Sequence, residues 1–150
     1  DRASGTSRTY DNWTTCRRFR ITKDMTPADG NELADIGECN MADPQTLKDF
    51  ITWATQNYPA PSYALIMWNH GDGWRSLEPV SSDESSLMQE DRIALSVKAA
   101  GFDDTSDDYL YMDEMEQALK DANIHFDLIG FDECLMAMAE VAYEIKDFAD

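Results

Sequence analysis

The chain has 150 residues, of which 43% are hydrophobic, enough for one folded core. No apolar run is close to the length of about 20 residues that a membrane-spanning helix needs. No signal peptide is visible, although a mature chain would have lost one. The formal net charge of −18 repels phosphate backbones and anionic lipids, so neither nucleic acid nor a membrane surface is an expected partner. The acidity suits a cationic substrate or a bound cation, and equally a solvated acidic surface.

The first predicted elements are a loop, a strand and a helix. Residues 1–15 are polar and turn-rich and predict a loop, and the alternating run CRRFRIT (16–22) predicts a strand. Asp43 and Pro44 then form a helix start, because a carboxylate caps free N–H groups and proline tolerates the first helical position. The apolar residues of this helix recur at helical spacing until the prolines that follow residue 57; they are Leu47, Phe50, Ile51 and Ala54.

Two apolar strands and two helices are predicted in the rest of the chain. YALIMW (63–68) predicts a strand buried on both faces, and HFDLIGF (125–131) predicts a second strand. Between them, residues 75–108 are rich in serine and acidic residues and predict a flexible segment. MDEMEQALKDA (112–122) predicts a helix whose capping box is formed by Asp113 and Glu116, and residues 135–149 predict a long helix.

This order of elements predicts an α/β fold, in which a parallel sheet carries helices on both faces. Ligands bind at the carboxyl ends of the strands in such sheets. The two clearest strands end at NHG (69–71) and at DEC (132–134). If these strands are parallel neighbours, we expect the two tripeptides to lie at the same edge of the sheet.

His70 and Cys134 at this shared edge predict acyl transfer with cysteine as the nucleophile. A thiol reacts as its thiolate, and a nearby imidazole can take the proton. Cys134 is also predicted to start a helix, whose dipole favours the thiolate. The backbone N–H groups of Gly71 and Cys134 are candidates to stabilise an oxyanion, because glycine lets the backbone approach the substrate.

Other interpretations of these residues remain open from the sequence. A cysteine among apolar residues is commonly a small core residue, and a histidine beside glycine is commonly a turn residue. His125 has no evident partner and is expected at the surface or as core filler. Cys16, Cys39 and Cys134 cannot all pair within one chain and lack zinc-site spacing, so at least one thiol is free.

Two longer stretches resemble a known family. YALIMWNHGDGW (63–74) and LIGFDECLMAMAEVAYEI (128–145) resemble the clostripain family of cysteine peptidases, which shares a clan with caspases, gingipains and legumain. In the family, as in this chain, a histidine followed by glycine comes after one strand, and Asp-x-Cys comes after the next. The resemblance covers roughly residues 16–150. It implies a caspase-like sandwich of a mostly parallel sheet with helices on both faces, of which residues 1–150 form the central part of one domain.

The resemblance also implies roles for single residues. His70 resembles the catalytic histidine and Cys134 the nucleophile, while Asp132 resembles the acidic residue that lines the pocket for the side chain preceding the cut. The family cleaves after arginine or lysine, and a buried carboxylate would pair with either cation. The implied protein is a secreted bacterial endopeptidase that acts on peptides or proteins and needs no cofactor for its chemistry.

The chain departs from the family pattern at two positions. Glu133 stands where a small residue is common, and we expect it to change the electrostatics of the pocket. Asp72 replaces a frequent glycine. The family's first core strand and its later strands are expected to lie outside residues 1–150, so the chain is expected to be a fragment or a processed piece.

A calcium site is a weaker expectation. Asp103, Thr105, Asp107 and Glu114 occupy the first, third, fifth and twelfth positions of an EF-hand-like loop. Asp108 stands where the sharp turn needs glycine, so an acidic loop followed by a helix cap explains the pattern better. Some clostripain-like enzymes use calcium, and the resemblance keeps such a site open without locating it.

The resemblance further implies a zymogen that is cut between the two motifs. Within residues 75–108, the basic positions are Arg75, Arg92 and Lys98. Small residues flank the Lys98–Ala99 bond and let it enter a narrow active site, so we expect self-cleavage there, with Arg92 as the alternative. The two products would remain associated, so the other part of its own chain is an expected partner.

Three functions therefore compete. The leading hypothesis is an endopeptidase that cleaves after arginine or lysine with a Cys–His dyad. The second is a catalytically inactive relative that binds a peptide or a glycan. The third is an unrelated α/β binding domain whose cysteine belongs to the core, which a buried Cys134 far from His70 would favour.

Overall fold

The structure of the protein, a computed structural model, describes residues 13–28, 30–71, 73 and 99–150. None of the helices in this part of the chain is long and apolar enough to cross a membrane. The elements are β1 (Arg17–Arg18), β2 (Ala34–Asp35), α1 (Pro44–Asn57), β3 (Ala64–Trp68), β4 (Ala99–Asp103), β5 (Asp108–Tyr111), α2 (Met112–Ala122), β6 (Leu128–Asp132) and α3 (Ala139–Ile145).

Strands β3 and β6 are parallel neighbours, as the order of elements predicts. Their register runs from Ala64 opposite Leu128 to Trp68 opposite Asp132. A parallel pair needs a long crossover connection, and here the chain between the strands contains β4, β5 and α2. Because Trp68 and Asp132 are partners, the residues that follow each strand leave the sheet at the same level.

The two faces of this parallel pair have different surroundings. Leu65 is buried, and Met67, Ile129 and Phe131 pack against the same core cluster, to which all three helices contribute. On the opposite face, the described residues leave three large apolar side chains exposed: Ile66, Trp68 and Leu128. The expectation that residues 63–68 are buried on both faces is therefore wrong for the described part of the chain. Within it, the helices pack only against the face of the strand that carries Leu65.

Helix α1 begins as its sequence predicts. The side chain of Asp43 accepts a hydrogen bond from the backbone N–H of Gln45 at 2.8 Å, and Pro44 occupies the first turn. Leu47 and Ile51 are buried. Phe50 lies outside this stripe and is exposed, so only part of the predicted apolar face enters the core.

Helix α2 forms where it is predicted, but with a different cap. The Glu114 carboxylate accepts the backbone N–H of Tyr111 at 3.0 Å, so the capping pair is Tyr111 and Glu114 and not Asp113 and Glu116. The buried face of the helix consists of Met112, Met115, Ala118 and Leu119. The N-cap therefore lies two residues earlier in the chain than the spacing of the acidic residues predicts.

Two predicted elements are shorter than expected. The strand over 16–22 is reduced to Arg17–Arg18, which pairs antiparallel with Ala34–Asp35. The helix over 135–149 is reduced to Ala139–Ile145. Leu135 has a positive φ of 60°, which is incompatible with a right-handed helix at this point.

Residues 99–108, assigned above to the flexible segment, belong to an antiparallel hairpin of β4 and β5. Asp103 is buried in its turn and accepts hydrogen bonds from the backbone N–H groups of Thr105 and Ser106. The same carboxylate accepts the N–H of Met41 at 2.9 Å, which ties the hairpin to the segment before α1. Arg75, Arg92 and Lys98 lie outside the described residues.

Candidate active site

Two loops leave the edge of the sheet at the ends of β3 and β6. We call residues 69–71 and 73 the histidine loop and residues 133–138 the cysteine loop. A Cβ atom placed on Gly71 would lie 2.6 Å from the carbonyl oxygen of Cys134 and 3.0 Å from the Cβ of Glu133. Because real Cβ atoms do not approach a backbone oxygen this closely, only glycine permits the contact. The backbone next to His70 therefore lies directly against the backbone of Cys134.

A second glycine repeats this contact along the loop. Gly73 has a φ of +65°, and a Cβ atom placed there would lie 2.5 Å from the carbonyl oxygen of Leu135 and 2.9 Å from the sulfur of Met138. Glycine at both positions thus lets the backbone of the histidine loop lie against the backbone of the cysteine loop. This close packing gives a physical reason for a glycine-rich sequence after an apolar strand.

Asn69 holds the start of the histidine loop. Its side-chain amide donates a hydrogen bond to the carbonyl oxygen of Phe102 in β4 at 3.0 Å, and its side-chain oxygen accepts the backbone N–H of His70 at 2.6 Å. The loop is therefore tied to the hairpin, and the same side chain fixes the peptide at His70. Asn69 is not among the predicted site residues, and its position directly before His70 is the only signal for it in the sequence.

The side chains of His70 and Cys134 are both exposed at this edge. The interpretation of Cys134 as a core residue is wrong, because Met136 occupies the buried position of the cysteine loop. Cys134 lies in a turn, and α3 begins only at Ala139. The expected effect of a helix dipole on the thiol is therefore also wrong, since such effects fade within the first turn of a helix.

The two carboxyl groups before Cys134 have opposite environments. Asp132, the last residue of β6, is exposed, so the expectation of a buried carboxylate at this position is wrong for the described residues. Glu133 is the buried one: neither of its carboxyl oxygens is accessible to solvent or has a hydrogen-bond partner in the described structure. This burial raises the pKa of Glu133 to about 8.

The burial of Glu133 determines its own charge at neutral pH. With a pKa of about 8, the carboxyl group is mostly neutral at pH 7. Glu133 therefore departs from the family pattern without carrying a full negative charge at neutral pH.

The remaining site expectations find less support. Gly71 is buried against the cysteine loop, and its role in stabilising an oxyanion stays a prediction, as does that of the Cys134 N–H. His125 lies at the surface, as one of the two expectations has it, and its Nε2 is 2.9 Å from Oδ1 of Asp150. This surface contact leaves His125 outside the candidate site.

The described residues do not show where a calcium ion would bind. Oxygens of Asp103 accept hydrogen bonds within the hairpin turn, and Glu114 accepts one from the start of α2. Over residues 13–28, 30–71, 73 and 99–150, no three His, Cys, Asp or Glu side chains are grouped to hold a metal ion. A structured turn followed by a helix cap accounts for the acidic pattern.

Comparisons with known proteins agree with the resemblance of the two motifs. The model of the clostripain family of peptidases (C11) matches residues 20–150. Clostripain from Hathewaya histolytica is 37% identical over 121 residues, which cover 77% of this chain and 21% of that protein.

A solved structure is similar over most of the described fold. It is that of a secreted C11 cysteine protease from Bacteroides thetaiotaomicron in complex with an irreversible peptide inhibitor. The TM-score is 0.64 at 28% sequence identity, and the match covers 91% of this chain and 33% of that one. The present chain thus spans between a fifth and a third of these two relatives.

These findings confirm the predicted fold class and the predicted family. The parallel pair β3–β6 and the likeness to a C11 protease give an α/β, caspase-like fold. The family model spans both loops of the candidate site and most of the chain. The chain belongs to the clostripain family of cysteine peptidases.

Proposed function

We propose that the protein is a cysteine endopeptidase that cleaves peptide bonds after arginine or lysine, with Cys134 as nucleophile and His70 as proton shuttle. The observation that carries this proposal is the close backbone contact between Gly71 and Cys134. It holds an imidazole-bearing loop against a thiol-bearing loop, and both side chains reach solvent, where a substrate can meet them.

The proposed reaction follows from these two groups. His70 takes the thiol proton, and the sulfur of Cys134 attacks the carbonyl carbon of the scissile bond. Backbone N–H groups, with Gly71 and Cys134 as candidates, would stabilise the oxyanion that forms. The proton passes to the leaving amine as the C–N bond breaks, and water then hydrolyses the thioester.

Asp132 is the proposed contact for the basic side chain. It lies at the end of β6, two residues before Cys134, and its exposure leaves it accessible to a substrate. A carboxylate pairs with a guanidinium or an ammonium group, whereas an apolar side chain would leave it unpaired. The net charge of −18 would also attract basic peptides at low ionic strength.

We also propose that the enzyme processes itself after Lys98, with Arg92 as the alternative site. Strand β4 begins at Ala99, so a cut before it leaves the β4–β5 hairpin intact. We propose that this protein is secreted, because the similar C11 protease of B. thetaiotaomicron is a secreted enzyme. Calcium dependence stays an open proposal, to be tested by adding calcium or a chelator to the processing reaction.

A catalytically inactive protein that binds a peptide or a glycan is the second candidate. It is favoured by Glu133, which precedes the nucleophile in the chain and whose carboxyl oxygens have no hydrogen-bond partner among the described residues. Labelling with a basic acyloxymethyl ketone separates the two. The endopeptidase would be alkylated at Cys134 and would hydrolyse peptides with arginine or lysine before the cut. A protein that binds such peptides but is never labelled would refute the proposed activity.

Intact mass measures self-processing separately. Freshly made wild-type protein would carry one cut after Lys98 that Cys134→Ala lacks. If both proteins stay whole after long incubation with calcium, or if both are cut alike, self-processing is excluded. Peptide hydrolysis by the uncut enzyme would leave the endopeptidase proposal standing.

A further inference from the structure

Three sulfur atoms form a cluster far along the chain from the nucleophile. Sγ of Cys16 lies 3.5 Å from Sδ of Met41, and Sγ of Cys39 lies 3.9 Å from the same atom. Cys16 is buried and Cys39 is half-buried. Because both thiols contact one sulfur atom, they are close neighbours, although 22 residues separate them in the sequence.

The backbone holds the two cysteines at the same end of the small β1–β2 sheet. The N–H of Cys16 donates to the carbonyl oxygen of Gly37 at 2.7 Å, and the N–H of Ile36 donates to the carbonyl oxygen of Cys16 at 3.0 Å. Cys39 follows Gly37 by two residues. Their proximity therefore results from hydrogen bonds between the two strands and not from a chance surface contact.

We infer that Cys16 and Cys39 form a disulfide bond in the mature protein, leaving Cys134 as its free thiol. With three cysteines, one thiol must stay free if the other two pair within the chain. The two that pair are the ones that the fold brings together. The inference rests on the extracytoplasmic location proposed above, where disulfides persist. It does not depend on peptidase activity.

The chemistry is a thiol–disulfide exchange with a small disulfide such as oxidised glutathione. The Cys39 thiolate attacks one sulfur of the oxidant and releases one glutathione thiolate, which gives a mixed disulfide. The Cys16 thiolate then attacks the Cys39 sulfur and releases the second glutathione. Both cysteines lose their protons and together two electrons, and the oxidant is reduced to two thiols.

The folded protein with free thiols would oxidise slowly. Burial, together with a hydrogen bond that the Cys39 thiol donates to Cys16, raises the pKa of Cys39 to about 12. At neutral pH, almost no thiolate is then available for the exchange. The bond is therefore expected to form while the chain folds in the presence of the oxidant, before the sulfur cluster is enclosed.

The test is to refold the full chain with a reduced and oxidised glutathione pair, then alkylate it in denaturant without reductant. Mass spectrometry of the digest is expected to show a peptide pair linked through Cys16 and Cys39, and alkylation only at Cys134. The double variant Cys16→Ser/Cys39→Ser should melt roughly 10 °C below the oxidised wild type, because the bond closes a loop of over twenty residues. Reduction should remove this difference.

Two controls make the result decisive. Met41→Leu removes the shared sulfur but should keep the bond, whereas a site for a soft metal ion would need the thioether. Cys134→Ala should leave the bond intact and abolish alkylation. Alkylation of all three cysteines, a bond that includes Cys134, or a metal ion bound by the cluster in place of the bond would each overturn the inference. A peptidase assay on the oxidised protein reports separately on the proposed function.

Discussion

The histidine loop and the cysteine loop leave neighbouring parallel strands at the same level, yet they are built in opposite ways. The histidine loop approaches its partner through two glycines and is tied to β4 by Asn69. The cysteine loop provides the bulk, with a buried methionine, Met136, and a buried carboxyl group at Glu133. Glycine residues shape the histidine loop, and buried side chains shape the cysteine loop. The two loops should therefore respond to different kinds of substitution.

The largest expected effects come from removing the one reactive group that each loop presents. Cys134→Ala should abolish peptide hydrolysis, and His70→Ala should lower kcat/KM by about 10²–10⁴-fold, the range of general acid–base assistance. His125→Ala is the matched control, because that histidine lies at the surface and contacts Asp150. If either variant at the site keeps more than about a tenth of wild-type activity, the proposed pairing of the loops is wrong.

The next effect tests the glycine side of the comparison. Gly71→Ala places a Cβ 2.6 Å from the carbonyl oxygen of Cys134, and a backbone atom has little freedom to move away. The loops should separate, with at least a 10-fold loss of kcat/KM, since misplacements of about 1 Å cost up to 10²-fold. Gly101→Ala is the control, because its nearest neighbours would be 3.8 and 3.9 Å away. Equal activity of both variants would show that the contact has no functional role.

A smaller effect tests the exposed carboxylate before the cysteine loop. Asp132→Asn should reduce cleavage after arginine and lysine about 10-fold or more, because a charge-assisted hydrogen bond contributes about 1.5–3 kcal/mol. The measurement is kcat/KM for paired substrates with arginine or alanine before the cut. Asp113→Asn, at an exposed position in α2, should leave that ratio unchanged. An unaltered ratio in Asp132→Asn would remove this residue from the specificity pocket.

The smallest effect concerns the pH dependence that Glu133 introduces. Its pKa is raised from 4.5 to about 8 in the folded protein, so folding favours the protonated form. The contribution of Glu133 to the free energy of unfolding is fully present below pH 4.5. It is lost as the pH rises from 4.5 to about 8, so stability falls over this range. Glu133→Gln should flatten this part of the Tm profile, because the glutamine amide does not ionise in this pH range.

Glu140→Gln provides the control for this profile, since Glu140 is an exposed glutamate of the same region in α3. It should reproduce the wild-type dependence of both Tm and kcat/KM on pH. A Glu133→Gln profile that coincides with the wild type would mean that Glu133 is ionised and solvated in the working protein. The contrast between the two loops would then rest on the glycines alone.

Local patterns were sufficient for the elements whose signals lie within a few residues. The start of α1 follows from Asp43 and Pro44, and β3 follows from a short apolar run. The hairpin of β4 and β5 was missed, because its strands contain polar residues and glycine and its turn is held by Asp103, whose bond to Met41 crosses 62 residues. No local pattern carries information about a contact of that kind.

The sequence by itself determined the family, the order of strands and helices, and the two tripeptides that carry the candidate nucleophile and base. These depend on periodicity and on motifs read along the chain. Only the tertiary structure decided that Cys134 is exposed in a turn before α3, that Glu133 rather than Asp132 is the buried carboxyl group, and that Cys16 lies beside Cys39. The physical reason is that burial and exposure are set by neighbours distant in the chain, such as Gly71 against Cys134, which no local sequence pattern specifies.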